Sequence, residues 1–188
     1  ESHHLANVLR LSNGDPVIVV DRASGLQFRA LVVESAVPLK VRLVSMLALA
    51  SRRGFVETLI FALSKGDKND FVCEKACELG VRHIVFWCAT RSVVKIASDG
   101  DAEKKLARWR KISESAAKQS GNSAIPEVTL MRTINELLKK LDSLKQEDDQ
   151  FLCCSLSSGA RTAREIGLKQ SSVHLAIGPE GDFTPAEE

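Results

Sequence analysis

The sequence predicts an α/β fold with a parallel sheet covered by helices on both faces, preceded by a small β domain. Residues 55–188 alternate apolar runs of strand length with amphipathic helical segments, which is typical of βα units. Residues 3–45 instead contain three short β-branched-rich runs separated by turn residues. The polar segment 51–54 separates the two patterns. We therefore predict two domains, at 1–50 and 55–188.

The first pattern predicts a small barrel or a twisted sheet. Strands are predicted at residues 17–20, 28–33 and 41–44. Residues 13–16 and 23–25 carry Gly, Asn, Asp, Ser or Pro and predict the turns between them.

The second pattern predicts four strands and four helices. Strands are predicted at residues 55–63, 81–87, 151–156 and 173–177. Helices are predicted at residues 70–79, 102–120, 133–141 and 160–166. Asp70 is predicted to cap the first helix and Gly80 to end it. Gln119 continues the apolar stripe of the second helix, so its amide is expected to point inward.

The composition is that of a globular protein, with 44% hydrophobic and 27% charged residues and a net charge of +2. No apolar run is long enough to span a bilayer, and no signal peptide is recognisable. The five cysteines have no disulfide or zinc spacing, so we expect reduced core thiols and no metal site. These features predict a soluble intracellular protein without a membrane partner. We expect it in the cytoplasm, or in an organellar stroma or matrix if the source is eukaryotic.

A basic segment lies in the long predicted helix. Residues 103–118 contain six basic side chains and two acidic ones. Such a segment can bind phosphates or can be a solvated helix face, and composition leaves both open. The candidate phosphate-binding residues are Lys65, Lys104, Arg108 and Lys111.

Ligands of parallel α/β sheets collect at the carboxyl ends of the strands. Residues 64–68 follow the first predicted strand, but their spacing is not that of a phosphate-binding Walker loop. Arg91 follows the second strand, and Leu156 ends the third. Gly178, Pro179, Glu180 and Gly181 follow the fourth strand. Two glycines there allow positive φ and close backbone approach to an adenine edge, although an ordinary turn has the same composition.

Several segments, in order, match one known family. They are HLANVLRL (4–11) with Gly14-Asp15, KGDK (65–68), EKACELGV (74–81), RSVV (91–94), Lys105, Arg108-Trp109, Ile112, AAKQSG (116–121), Ile125-Pro126 and IGPEG (177–181). Through nearly its whole length the chain resembles the 16S ribosomal RNA uridine N3-methyltransferases of the SPOUT superfamily.

The resemblance implies a PUA-like RNA-binding β-barrel followed by a SPOUT methyltransferase domain with a trefoil knot. It implies a homodimer that uses S-adenosyl-L-methionine (SAM) and acts on 16S ribosomal RNA or the small ribosomal subunit. The cofactor-binding residues would be Gly178, Pro179, Glu180 and Gly181, together with Leu156 by its position on a second loop. Arg91 is the candidate for stabilising charge on the uracil oxygens, and its alternatives are an RNA-phosphate contact or a surface salt bridge. Gln119 would bond backbone at the dimer or knot interface.

The chain departs from the family pattern at two residues. Asp182 stands where the family usually has a second glycine, and Asn122 stands where it usually has arginine. Both domains also resemble incomplete forms, so the chain is expected to be a fragment whose cofactor site is completed after Glu188.

Two other functions fit parts of the sequence. An RNA-binding protein with a degenerate, non-catalytic SPOUT domain would keep the barrel and the basic helix without methyl transfer. An unrelated α/β hydrolase or nucleotide binder would need a G-x-S-x-G or Walker A motif, and neither occurs. The target nucleotide, the catalytic base and the form of the RNA substrate are not encoded in any pattern of the chain.

Overall fold

The computed structural model describes residues 2–21, 26–47, 56–122, 124–167 and 172–188. The chain divides into two compact units, Glu1–Ser51 and Arg52–Glu188. The predicted boundary at 51–54, the predicted turn at 23–25 and Phe55, the first residue of a predicted strand, lie outside the described residues.

The first unit is built on a three-stranded antiparallel sheet. Its strands are β1 (Pro16–Val20), β2 (Gln27–Glu34) and β3 (Lys40–Leu47), in the order β1-β2-β3. A five-residue π-helix, His4–Val8, precedes them and was not predicted. All three predicted strands are present, and Gly14 adopts a φ of 95° in the predicted turn before β1. The alternating apolar residues bury Ala30 and Val32 on one face of β2.

The second unit contains a five-stranded parallel sheet. Its elements are β4 (Val56–Ala62), α1 (Lys68–Glu78), β5 (His83–Trp87), α2 (Asp99–Ser120), β6 (Glu127–Met131), α3 (Ile134–Leu144), β7 (Gln150–Cys154) and β8 (Val173–Ile177). The strand order is β6-β5-β4-β8-β7, and every pair is parallel. The predicted α/β fold with a parallel sheet is confirmed.

Both faces of strand β5, which lies between β6 and β4, are buried, as a continuous apolar run predicts. Ile84 and Phe86 point to a core that includes residues of α1 and α2, and the Phe86 ring lies 4.1 Å from that of Trp109. Val85 and Trp87 point to the opposite core. Because successive side chains of a strand point to opposite faces, those of β5 alternate between the two hydrophobic cores.

Local side-chain contacts fix the ends of α2. Ser98 accepts a hydrogen bond from the Asp101 N–H at 3.2 Å, and Gly121 ends the helix with a φ of 68°. Asn122 then donates from Nδ2 to the Cys77 carbonyl at 2.9 Å, which joins the end of α2 to the end of α1. The residue that departs from the family arginine therefore has a structural contact here.

One strand was not predicted, and two predictions of secondary structure are wrong. Strand β6 was not predicted. Residues 160–166 form turns instead of a helix, and Glu165 accepts hydrogen bonds from the Thr162 N–H and hydroxyl, both at 2.8 Å, which closes one of these turns. Helix α1 begins at Lys68 with Asp67 as its N-cap, so Asp70 lies in its first turn.

Two predictions of burial are also wrong. Gln119 is exposed and does not point inward.

Cys73 and Cys77 are buried, and burial raises the pKa of the Cys73 thiol to about 12, as expected of inert core thiols. Cys153 and Cys154 are exposed and lie on β7, the edge strand of the sheet.

Candidate functional site

The candidate site lies at the carboxyl edge of the second unit's sheet. Because parallel strands all end at the same edge, the segments after β4, β5, β7 and β8 emerge together. We call residues 155–157 the β7 loop and residues 178–183 the β8 loop. Hydrogen bonds connect the predicted residues of these segments.

The β8 loop is shaped by close packing. A backbone bond from the Asp182 N–H to the Pro179 carbonyl, 2.9 Å long, closes its turn. A Cβ atom on Gly178 would lie 2.9 Å from Phe183 Cε2, which is closer than real contacts allow. Phe183 is itself 4% exposed and stacks on Trp87 with ring centroids 6.2 Å apart. The space at Gly178 therefore requires glycine.

The expectation of positive φ at Gly178 and Gly181 is wrong. Neither glycine adopts a left-handed conformation, whereas Asp182 does, with a φ of 60°. Gly178 is required by the approach of the Phe183 ring, and the sharp change of chain direction occurs one residue after the motif.

Arg91 holds the β8 loop from the end of β5. Its Nη1 atom donates to the carbonyls of Gly181 and Phe183, both at 2.8 Å. A Cβ on Gly181 would lie 3.6 Å from the Arg91 side chain, an ordinary contact distance. The side chain is exposed and, within the described part of the chain, no hydrogen bond is made by Nε or Nη2. Arg91 thus supports the loop and keeps donors for a ligand.

Glu180 connects the β8 loop to the start of α1. Its Oε1 atom lies 2.6 Å from Lys68 Nζ, with both side chains more than half exposed. The hydrogen bond from Lys68 lowers the pKa of Glu180, and the charge of Lys65 acts in the same direction. Lys65 and Lys68 therefore place two cations beside the loop.

The β7 loop is open by comparison. The Leu156 side chain is 87% exposed, so packing does not hold it. The Leu156 N–H donates to Asp182 Oδ2 at 2.9 Å, and this contact joins the β7 loop to the β8 loop. The Leu156 backbone therefore contacts the residue that directly follows the glycine motif.

Glu187 anchors the segment that follows the β8 loop. Its carboxylate accepts from the Thr90 N–H at 2.8 Å and from the Thr184 N–H and hydroxyl at 2.9 Å. Burial tends to raise the pKa of Glu187, but these hydrogen bonds lower it to about 2. An ionised carboxylate thus links this segment to the residue before Arg91.

The predicted RNA-binding residues fall into two groups. Lys104, Arg108 and Lys111 line a surface depression of about 520 Å³ on α2, together with Ala107 and Ile112. Arg108 already donates from Nε to Asp70 Oδ2 at 2.9 Å, and this bond raises its pKa. Lys65 belongs instead to the loop after β4.

Comparison with known proteins identifies the second unit. Residues 55–188 match a family described as an RNA methyltransferase domain. The chain belongs to this family. It is 30% identical to the ribosomal RNA small subunit methyltransferase E of Bacillus subtilis, over 100% of this chain and 74% of that protein. The corresponding protein of Mycobacterium tuberculosis is 28% identical over 100% of this chain and 71% of its own length.

Solved structures agree with this RNA methyltransferase assignment. A ribosomal RNA small subunit methyltransferase E from Neisseria gonorrhoeae, bound to S-adenosyl methionine, superposes with a TM-score of 0.76 at 28% identity, over 99% of this chain and 74% of that one. A putative methyltransferase from Legionella pneumophila, also with bound SAM, has a TM-score of 0.74 at 26% identity, over the same shares. These likenesses do not favour the alternative of an RNA-binding protein with a degenerate, non-catalytic domain.

Sequence reasoning missed part of what holds this RNA methyltransferase domain's loops together. Lys68, Phe183 and Glu187 all contact residues of the site, yet none was named as a site residue. Lys68 is the last residue of the KGDK motif, and Phe183 and Glu187 follow the IGPEG motif. The proximity of Lys68 and Phe183 to glycine-containing loops was the available signal.

Among the described residues no group of His, Cys, Asp and Glu could hold a metal ion, and none of the described helices is long and apolar enough to cross a membrane.

Proposed function

We propose that this protein transfers a methyl group from SAM to N3 of a uridine in 16S ribosomal RNA. The observation that carries the proposal is the junction of two loops at the carboxyl edge of the sheet, in a chain whose structural relative from Neisseria gonorrhoeae binds SAM. Relatives named small-subunit ribosomal RNA methyltransferases supply the RNA class.

The loop residues fit an adenosyl cofactor. The β8 loop offers backbone carbonyl and N–H groups next to Gly178 and Gly181, and the exposed Leu156 side chain offers an apolar surface for an adenine ring. We propose that Leu156, Gly178, Pro179, Glu180 and Gly181 hold the cofactor, which supplies an electrophilic methyl group when bound.

The chemistry requires charge stabilisation on the base. Uracil N3 carries a proton at neutral pH, so negative charge develops on the uracil oxygens as this proton leaves. N3 also lies on the Watson–Crick edge, so the target base must be unpaired or flipped out. We assign Arg91 to stabilise the developing charge through Nε and Nη2, because Nη1 is committed to the β8 loop.

The basic surface of α2 is proposed to bind the RNA backbone. Lys104, Arg108 and Lys111 lie on one surface, and Lys65 adds a cation near the β8 loop.

The three-stranded antiparallel sheet of the first unit supports a PUA-like domain, and the order β4-β8-β7 supports a SPOUT domain with a trefoil knot. The proposal also includes a homodimer acting in the cytoplasm or in an organelle.

Methyl transfer is tested on a full-length version of the protein with labelled SAM and 16S ribosomal RNA, free or in the small subunit. Nuclease digestion and mass spectrometry should find N3-methyluridine, and calorimetry should find SAM binding. The affinity for RNA should fall steeply with added salt. Lys104→Ala should reduce the slope of log affinity against log salt concentration by about 1 unit. Lys139→Ala, an exposed change on α3, is the matched control.

Two outcomes have different meanings. A protein that is folded but takes up no SAM would exclude the enzymatic proposal. SAM binding with methylation of another base, or of another RNA, would retain the methyltransferase and reject its substrate.

A further inference from the structure

Asp182 has a backbone conformation that most side chains avoid. Its φ of 60° is left-handed, and among the described non-glycine residues only Arg10 shares a positive φ. Such a conformation is least unfavourable for glycine, and Asp and Asn tolerate it better than other residues. We therefore expect the Asp182 side chain to make contacts that offset the cost of this backbone conformation.

The Asp182 side chain makes two backbone contacts. Oδ1 accepts from the Phe183 N–H at 2.9 Å, which closes the end of its own loop. Oδ2 accepts from the Leu156 N–H at 2.9 Å, which reaches 26 residues back along the chain to the β7 loop. The two oxygens of one carboxylate thus fix the β8 loop and the β7 loop to each other.

The charge state of Asp182 favours these contacts. Hydrogen bonds from Leu156 and then Phe183 lower its pKa, and the positive charge of Arg91 and the Ser155 hydroxyl act in the same direction. The group is therefore ionised at neutral pH, and hydrogen bonds to an ionised acceptor are stronger than those to a neutral one.

The β7 loop depends on this contact more than the β8 loop does. Leu156 exposes 87% of its side chain, so its backbone N–H is what attaches it to the neighbouring loop. The β8 loop keeps the packing of Phe183 and the bonds from Arg91 without it. The Ser155 hydroxyl also donates to Glu188 Oε1, which attaches the start of the β7 loop to the segment after the β8 loop. Loss of the Asp182 carboxylate would therefore free the backbone at Leu156 and leave the β8 loop in place.

We infer that Asp182 is a positioning residue that holds the β7 loop against the β8 loop and thereby sets the affinity for SAM. The inference rests on the proposed function, because it assigns a task to a residue within the proposed cofactor site. By fixing Leu156 before the cofactor arrives, the carboxylate reduces the ordering that binding would otherwise require.

Three substitutions separate the side chain from the backbone. Asp182→Gly removes the carboxylate and suits the left-handed conformation, whereas Asp182→Ala removes it and does not. Asp182→Asn keeps one acceptor oxygen and loses the charge. Glu165→Ala is the matched control, because Glu165 also binds a backbone N–H but lies outside both loops.

The experiment measures SAM dissociation constants by calorimetry on the full-length protein, together with exchange of the Leu156 amide proton by NMR. We expect about tenfold weaker SAM binding and faster Leu156 exchange in both Asp182→Gly and Asp182→Ala. Asp182→Asn should recover part of the affinity, and Glu165→Ala should match the wild type. In steady-state assays the KM for SAM should rise more than kcat falls.

The outcomes keep the two proposals apart. If the wild type binds SAM and Asp182→Gly binds it equally well, the positioning role is overturned and the proposed function stands. If Asp182→Ala alone loses affinity, the backbone conformation is responsible and the carboxylate is not. If the wild type takes up no SAM, both proposals fall.

Discussion

The β8 loop and the β7 loop face the same proposed cofactor but are held by different forces. In the β8 loop, a Cβ on Gly178 would meet the Phe183 ring at 2.9 Å, and Phe183 is 4% exposed. In the β7 loop, Leu156 is 87% exposed. A Cβ on Gly159, which lies two residues after the end of that loop, would meet nothing within 4 Å. Packing and hydrogen bonds together hold the β8 loop, whereas hydrogen bonds alone hold Leu156.

This difference has a consequence for binding. A packed loop keeps its shape without a ligand, because any displacement costs buried contacts. A loop attached by hydrogen bonds moves when a bond is exchanged for one to a ligand or to water. We therefore expect substitutions that disturb the packing of the β8 loop to alter stability and affinity together, and substitutions at the β7 loop to alter affinity alone.

The largest expected effect follows the loss of the Arg91 side chain. Arg91→Ala should lower turnover at saturating SAM by about 10²-fold to 10³-fold, since a charge-stabilising donor is lost. It should weaken SAM binding by only about tenfold, through loss of the bonds to Gly181 and Phe183. Arg91→Lys is the informative partner: an ammonium group can still bind a carbonyl, so it should restore affinity more than turnover. Equal losses of turnover and affinity in both variants would reduce Arg91 to a loop support.

Overpacking of the β8 loop should have the next largest effect. Gly178→Ala places a methyl group against the Phe183 ring and should destabilise the fold by about 1–3 kcal/mol, with weaker SAM binding. Gly181→Ala is the matched control for stability, because its Cβ would have an ordinary 3.6 Å contact with Arg91. Thermal unfolding and SAM titration of both variants check the prediction. A Gly178→Ala protein as stable as Gly181→Ala would show that the loop is not held by packing.

The elements predicted correctly are those with a strong local signal. Strand β5 is a continuous apolar run, and α2 repeats apolar residues every three or four positions over 22 residues. Strand β6 was missed because Glu127 and Thr129 interrupt its apolar residues, so it lacks the continuous apolar run of β5. Residues 160–166 have helix-forming side chains but bury almost none of them, so local turns closed by Glu165 prevail.

The candidate site was predicted in outline only. Strand ends bring Arg91, Leu156 and the glycine motif to one edge, and that follows from parallel topology. The bond between Arg91 and Gly181 spans 90 residues, and the bond between Leu156 and Asp182 spans 26. No local pattern encodes such contacts. The departure at Asp182 was visible in the sequence, but its contact with Leu156 required the fold.

The smallest expected effect concerns the anchor after the β8 loop and depends on pH. Glu187 has a folded-state pKa lowered from 4.5 to about 2, so its contribution to stability is fully present above 4.5 and is lost as pH falls toward 2. Glu187→Gln should therefore lower the unfolding free energy at about pH 7. Its difference from wild type should shrink as pH falls from 4.5, where the unfolded carboxylate takes up a proton, to about 2, where the folded one does. Urea unfolding across this range, with exposed Glu103→Gln on α2 as control, measures the difference. A deficit that stays constant with pH would mean that the carboxylate charge does not anchor Thr90 and Thr184, and that the β8 loop depends on packing and Arg91.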